Sequence, residues 1–252
     1  MSKGVARDPW HRLRDLTAAR IAIGRAGGSL PTRELLSFSL DHARARDAVH
    51  HALDQRSVQD ALARRGLPWL AAHSAAASRA DYLRRPDLGR RLDDGSRARL
   101  LAAADPGGCD LALVLADGLS AIAVERHAPA LLDALLPLLE DWRLAPVVIA
   151  EQARVALGDD IGAALRACQV VMLIGERPGL SSPDSLGIYL THDPQPGRSD
   201  ADRNCISNVR PQGLAPEIAA RRLNHLMRGA RALGASGIAL KDDFAGDARS
   251  LG

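Results

Sequence analysis

Residues 105–116 read Asp105-Pro106-Gly107-Gly108-Cys109-Asp110-Leu111-Ala112-Leu113-Val114-Leu115-Ala116, a cluster of turn formers running straight into an apolar run. Pro cannot continue a helix and paired Gly favours turns, so the cluster ends whatever precedes it. From Leu111 to Ala116 no position is polar. A strand with that pattern has both faces buried, which is the mark of a sheet covered by helices on each side. Further along the chain the pattern recurs at Pro146 to Ala150, Val170 to Ile174 and Gly187 to Leu190. Helical segments fall between and after these runs, at Pro129 to Glu140, Gly158 to Ala167 and Ala215 to Leu233, and a last short strand is expected at Gly237 to Leu240. Strand alternating with helix predicts βαβ units, a mainly parallel sheet and a three-layer α/β/α, Rossmann-like arrangement.

Toward the N-terminus the period changes. Asp8-Pro9-Trp10 reads as a helix cap with Pro at the first helical position, followed by Leu13, Leu16, Ile21 and Ile23 as an apolar stripe. Gly24-Arg25-Ala26-Gly27-Gly28-Ser29-Leu30-Pro31 interrupts that helix. Thr32 caps the next one, which holds Leu35, Leu36, Phe38, Leu40 and Ala43 and ends near Leu53. Ser57 to Ala80 has small residues at helical spacing, broken at Gly66-Leu67-Pro68, and no strand is expected before Asp105. The reading is a helical domain over residues 1–104 and an α/β domain over residues 105–252.

Hydrophobic residues make up 46% of the 252 positions but aromatic ones only 3%, so Ala, Leu, Val and Ile must form the core. Such small side chains suit helices packed on a parallel sheet and disfavour an aromatic-rich β-sandwich. The net charge of +3 is carried almost wholly by Arg, since Lys3 and Lys241 are the only lysines. Arg binds carboxylates and phosphates through a planar fork, but so small an excess does not indicate a nucleic-acid partner. Cys109, Cys168 and Cys205 are odd in number and widely spaced, which implies neither a disulfide framework nor a metal site. Met1-Ser2-Lys3-Gly4 lacks the apolar segment of a secretion signal, and no run approaches the roughly 18 apolar residues of a membrane span. A soluble cytoplasmic protein with no membrane contact is expected.

Ligands of such sheets sit beyond the carboxyl ends of the strands. Asp117-Gly118-Leu119-Ser120 follows the first strand and supports two readings: polar groups offered to a ligand, or caps of the next helix. The segment from Glu151 to Asp160 reads mostly as capping and solvated charge. Gly175-Glu176-Arg177-Pro178-Gly179 is different, because two Gly and a Pro fix a particular path and place Glu176 at a strand tip. Cys205-Ile206-Ser207-Asn208 reads as a second strand-end loop, so the two loops together predict a ligand-binding edge. No His stands at a spacing that would activate Cys205, and Gly-x-Gly-x-x-Gly, Gly-x-x-x-x-Gly-Lys and His-Glu-x-x-His are absent.

Several strings, taken in order, resemble the small (light) subunit of ethanolamine ammonia-lyase. They are Asp8-Pro9-Trp10, Leu16-Thr17-Ala18-Ala19-Arg20-Ile21, Gly24-Arg25-Ala26-Gly27, Tyr82 to Leu92, Asp117-Gly118-Leu119-Ser120, Gly175 to Leu180, Ser185-Leu186 and Cys205-Ile206-Ser207-Asn208. The resemblance implies a lyase that turns ethanolamine into acetaldehyde and ammonia by a radical route driven by adenosylcobalamin. It implies a large subunit, a TIM barrel that holds substrate and carries the chemistry, in a hetero-oligomer of paired large and small subunits. The small subunit would complete the cobalamin site at the interface, through residues that map here to Val155, Glu176 and Cys205, and it would contribute no catalytic residue. An Asp-x-His-x-x-Gly string is absent, so the resemblance implies that cobalt keeps the cofactor's own dimethylbenzimidazole. For location the resemblance leaves two alternatives open, the free cytoplasm and the interior of a bacterial microcompartment. One departure stands out: Ala153 occupies the position of a family Gly, and a left-handed backbone there would cost Ala about 1 kcal/mol. The competing classes are a stand-alone α/β nucleotide- or cobalamin-binding module and an Arg-rich nucleic-acid binder.

Overall fold

The computed structural model describes residues 8–17 and 19–245. Met1-Ser2-Lys3-Gly4, Ala18 and the last seven residues of the expected α/β domain lie outside them. Asp8 does cap a helical turn over Pro9–Asp15, its carboxylate accepting from the Trp10 amide at 2.9 Å. That turn is a short 3-10 helix, and residues 19–23 are irregular instead of helical, with Ala22 at φ 50°. Then come α1 (Thr32–His50), α2 (Gln55–Ala63), β1 (Trp69–His73), α3 (Arg79–Arg84) and α4 (Asp94–Ala103). The α1 helix begins after Pro31 and Thr32 makes no capping bond.

The breaker at Asp105–Gly108 leads into β2 (Cys109–Ala116), α5 (Ala121–Leu135), β3 (Val147–Glu151), α6 (Leu157–Ala164) and β4 (Ala167–Gly175). The last elements are β5 (Leu186–His192), β6 (Arg203–Val209) and α7 (Pro216–Leu233). All six strands form one sheet in the order β1-β3-β2-β4-β5-β6. Pairing is parallel from β1 to β4 and antiparallel at β4–β5 and β5–β6. One face packs against α2, α5 and α7 through Val58, Leu62, Leu131 and Leu223. The other packs against α4 and α6 through Leu100, Leu157 and Ile161. The Ala, Leu, Val and Ile core expected from composition is what fills both clusters.

Four expectations need correction. Trp69–His73 is a strand, hydrogen-bonded to β3 from Trp69↔Val147 to His73↔Glu151, so the sheet draws on residues before Asp105. Its residues lack alternation, and they form a strand because the free edge of β3 supplies a ladder of backbone donors and acceptors. The run at Gly187 to Leu190 is a strand but runs antiparallel to β4. A parallel return needs a crossover of a dozen or more residues, and the link from β4 to β5 is only the loop 176–185, narrowed by Glu176 N→Ser185 O at 2.9 Å and Gly179 N→Ser182 O at 3.0 Å. Cys205–Asn208 is not a loop but part of β6, an edge strand. Gly237–Leu240 is not a strand: Gly237–Ala239 is a 3-10 turn with Gly237 at φ 73°. The Asn204 side chain satisfies the backbone of Gly237 and Leu240 that a sheet ladder would otherwise have paired.

Candidate functional site

The carboxyl ends of β2, β3 and β4 meet at one edge of the sheet, and β6 runs in the same direction as β4. Leu186 pairs with Gly175 on one side and Val209 on the other, which brings the ends of β4 and β6 together across the start of β5. At this edge Glu176 leaves the sheet half-buried, and its carboxylate folds back over β5. A Cβ at Gly187 would lie 3.0 Å from Glu176 Cγ and 3.1 Å from its Oε1, so the side chain rests where residue 187 has none. Oε2 accepts from the Ser185 hydroxyl and from the Asn208 amide at 3.2 Å. Oε1 has no hydrogen bond among the described residues, and is the oxygen left to accept from elsewhere.

Side chains alternate along β5, so Ile188 and Leu190 enter the core beneath α5 and α7 while Gly187 and Tyr189 face the opposite side. Tyr189 stands directly across from Cys205. Burial, with Cys205 and Glu176 close by, holds the Tyr189 phenol above its usual range, so it stays neutral. Cys205 is exposed, with Sγ 3.3 Å from the exposed Ser207 Oγ. The α6 helix is only 8 residues long and packs on β2 and β4; Arg203 at the start of β6 is buried against it, while Cys205 and Ser207 farther along β6 stay exposed. Val155, in the loop before α6, packs half-buried at the margin of the same cluster as Tyr189. Glu176, Cys205 and Val155 therefore share one side of the sheet, and Arg177 points into solvent.

The loop that carries Val155 has an uncommon path. Gln152 has φ 51° and Ala153 does not, so the left-handed residue falls one position before the one that departs from the family pattern. Ala153 is fully buried, and its carbonyl accepts from the Tyr82 hydroxyl at 3.1 Å. Tyr82 is gripped between two guanidinium groups, Arg154 at 4.2 Å and Arg79 at 4.5 Å from the ring centre. Burial raises the Tyr82 phenol to about 12, which keeps it a neutral donor.

Asp159 and Asp160, expected to be solvated, are buried in the first turn of α6. Asp160 accepts from Leu92 N at 3.0 Å and Arg97 Nη2 at 2.8 Å. Asp159 pairs with Arg203 Nη1 at 2.6 Å, which ties α6 to β6 two residues before Cys205. Sequence reasoning missed Tyr189, Gly187 and Ser185. The period-2 pattern of β5 was the available signal for the first two.

Outside the sheet, Trp10, Leu16, Leu30, Leu35, Leu36, Phe38 and Leu40 are exposed, Leu16 at 82% and Trp10 at 68%. Among the described residues no helix is long and apolar enough to cross a membrane.

The chain matches the family model described as ethanolamine ammonia-lyase light chain (EutC) over residues 7–241. It is 57% identical over 240 residues to the ethanolamine ammonia-lyase small subunit of Azotobacter vinelandii (strain DJ / ATCC BAA-1303), covering 94% of this chain and 89% of that one. Identity is 56% to the small subunit of Pseudomonas syringae pv. tomato, covering 94% and 84%, and 55% to that of Xanthomonas campestris pv. campestris (strain ATCC 33913), covering 94% and 89%. A family model spanning residues 7–241 and relatives more than half identical over nearly their whole length leave one conclusion: this chain belongs to the ethanolamine ammonia-lyase light chain family.

Proposed function

We propose that this chain is the small subunit of an ethanolamine ammonia-lyase and that it completes an adenosylcobalamin site at its interface with the large, TIM-barrel subunit. The assembled enzyme would convert ethanolamine to acetaldehyde and ammonia. The observation that carries the reading is the state of Glu176. One carboxylate oxygen is held by Ser185 and Asn208, and the other is left without a partner beside a glycine. A corrin ring is a broad disc fringed with amide NH2 groups, and a charged acceptor makes the stronger hydrogen bond to such a donor. Cys205 and Ser207 are small and exposed, so the part of this face beside the Glu176 carboxylate is low enough for a flat ligand. Val155 contributes apolar contact, and Cys205 contributes packing by a polarizable sulfur.

Adenosylcobalamin supplies the radical chemistry when bound. This chain's share is to bind and orient. Glu176 would accept from the fringe of the disc and the Tyr189–Cys205 surface would support it, backed by the core that Ile188 and Ile206 form on the other side of the sheet. The number of large apolar side chains exposed between Trp10 and Leu40 supports a subunit role, since a partner surface would take them out of water.

The test is reconstitution. The isolated chain should form no acetaldehyde, and mixing it with the large subunit and adenosylcobalamin should. Full activity of the large subunit alone would overturn the reading. Glu176→Ala should weaken cofactor binding by about tenfold, the scale of one lost charge-assisted hydrogen bond, and an unchanged dissociation constant would remove Glu176 from the site.

A further inference from the structure

The turn Asp117-Gly118-Leu119-Ser120 after β2 is neither an exposed ligand group nor a helix cap. Asp117 and Ser120 are 4% and 0% exposed, and Ser120 precedes α5 without making a capping bond. We propose that this turn is the positioning element of the cofactor rim, holding the loop that carries Val155 and the loop that carries Glu176 at a fixed separation. The inference rests on the reading of those two residues as cobalamin contacts.

Three sets of bonds converge on the turn. The Asp117 carboxylate accepts from Gly118 N at 2.8 Å, Gln152 N at 2.9 Å and Ala153 N at 3.0 Å, and Arg79 Nη1 stands 3.3 Å away. Two of those amides belong to the loop leading to Val155. Binding the carboxylate holds Gln152 in its left-handed conformation, which a non-Gly residue adopts only when its surroundings compel it. Burial raises the Asp117 carboxyl above its usual range, and the three amides and Arg79 pull against that.

The second set joins the turn to β4. Leu119 N donates to Gly175 O at 3.0 Å. Gly118, at φ 56°, and Gly175 approach so closely that a Cβ on either would collide with the backbone of the other segment. Gly175 immediately precedes Glu176. In the third set, Ser120 Oγ donates to Pro183 O at 2.7 Å, two residues before the Ser185 that holds the Glu176 carboxylate. Tyr82 and Arg154 brace the Val155 loop from the far side, through Ala153 O and the Arg154 N→Gly89 O bond at 2.8 Å. A ligand that touches both loops binds best when their spacing is already set, because ordering them on binding consumes affinity.

The experiment uses the full complex of this chain with its large subunit. In Asp117→Asn an NH2 group replaces one acceptor oxygen and leaves a backbone amide unpaired. Ser120→Ala removes only the tie to Pro183. Either change should raise the apparent Kd for adenosylcobalamin about tenfold, the scale of one lost hydrogen bond, while the KM for ethanolamine stays within about twofold. In a Glu176→Ala background, Ser120→Ala should add less than about twofold, because residues acting through a shared contact are not additive. Unchanged cofactor affinity in assembled Ser120→Ala, with Glu176→Ala weakened, overturns the positioning role and leaves the rim reading intact. Additive effects of the two changes overturn it as well. Unchanged affinity in Glu176→Ala overturns the rim reading and this inference together. If Asp117→Asn fails to assemble, Ser120→Ala decides alone.

Discussion

Arg203→Met would cut the tie between β6 and α6, and its cost can be worked from the burial of the pair. The Arg203 side chain is 3% exposed and that of Asp159 1%, with 2.6 Å between Nη1 and Oδ1. Arg203 also donates to Thr191 Oγ1 at 3.2 Å and Arg198 O at 2.8 Å. Met fills a similar volume but leaves Asp159 without a cation, and breaking a buried pair in this way costs about 3–5 kcal/mol. For a chain of this size each kcal/mol lowers Tm by about 2–4 °C, so the expected loss is about 6–20 °C. The pH dependence is a second signature. Burial already pushes the Asp159 carboxyl above its usual range, against the pull of Arg203, and without Arg203 it moves higher. A carboxyl whose folded pKa exceeds its unfolded one leaves the folded state holding more protons, so stability is greatest in acid and falls as pH rises through the folded value. The deficit of Arg203→Met should therefore widen from acid to neutral, and Asp159→Asn in the same chain should recover part of it. Thermal and urea unfolding across pH measure both effects. A neutral-pH loss under about 1 kcal/mol, or a deficit that does not shrink in acid, would refute the reasoning, since either means that Asp159 is not stranded when Arg203 goes.

Gly187→Ala should force the Glu176 carboxylate away from Ser185 and Asn208, given the 3.0 Å and 3.1 Å approaches of a Cβ to it. Adenosylcobalamin titration of the complex should then show binding weakened about tenfold, one charge-assisted hydrogen bond, and unaltered binding would mean that Glu176 is free to move. Ala153→Gly should destabilise the chain by about 0.4–1 kcal/mol, because residue 153 is not left-handed and Gly only adds unfolded-state freedom; a gain in stability would contradict this. Asp184 is raised by burial, but Arg126 and His127 more than offset that and hold it below its usual range. Its folded pKa is thus depressed, so its contribution to stability is present above the unfolded pKa and is lost as pH falls through the folded one; Asp184→Asn should flatten that acid limb of the unfolding profile. Replacing Leu36 and Leu40, exposed at 64% and 52%, with Ser should leave stability within about 0.5 kcal/mol and yet reduce co-purification with the large subunit, and undiminished co-purification would place the partner elsewhere.

The runs at 111–116, 146–150 and 170–174 were legible in the sequence as β2, β3 and β4, because an unbroken apolar strand is satisfied only when both faces are buried. The helix after Ala215 and the core composition were legible for the same reason: burial writes its pattern directly into residue type. The strings around Gly175, Asp117 and Cys205 were enough to place the chain in its family, which the comparisons then established. What those residues do to one another was not legible. The Trp69–His73 strand carries no period of its own, and it exists because β3 had an unpaired edge. Cys205–Asn208 reads as a polar loop because one face of an edge strand is open to solvent, so alternation there is polar against apolar over too few residues to stand out. Asp159 looks solvated until Arg203, 44 residues away, is folded against it. The oxygen of Glu176 that stays free is selected by Ser185 and Asn208 on two other segments, and by the missing side chain of Gly187. Local sequence records which residues must be buried or must turn. Which partner a buried charge finds, and which oxygen is left to a ligand, depends on contacts between distant segments, and only the tertiary structure decides those.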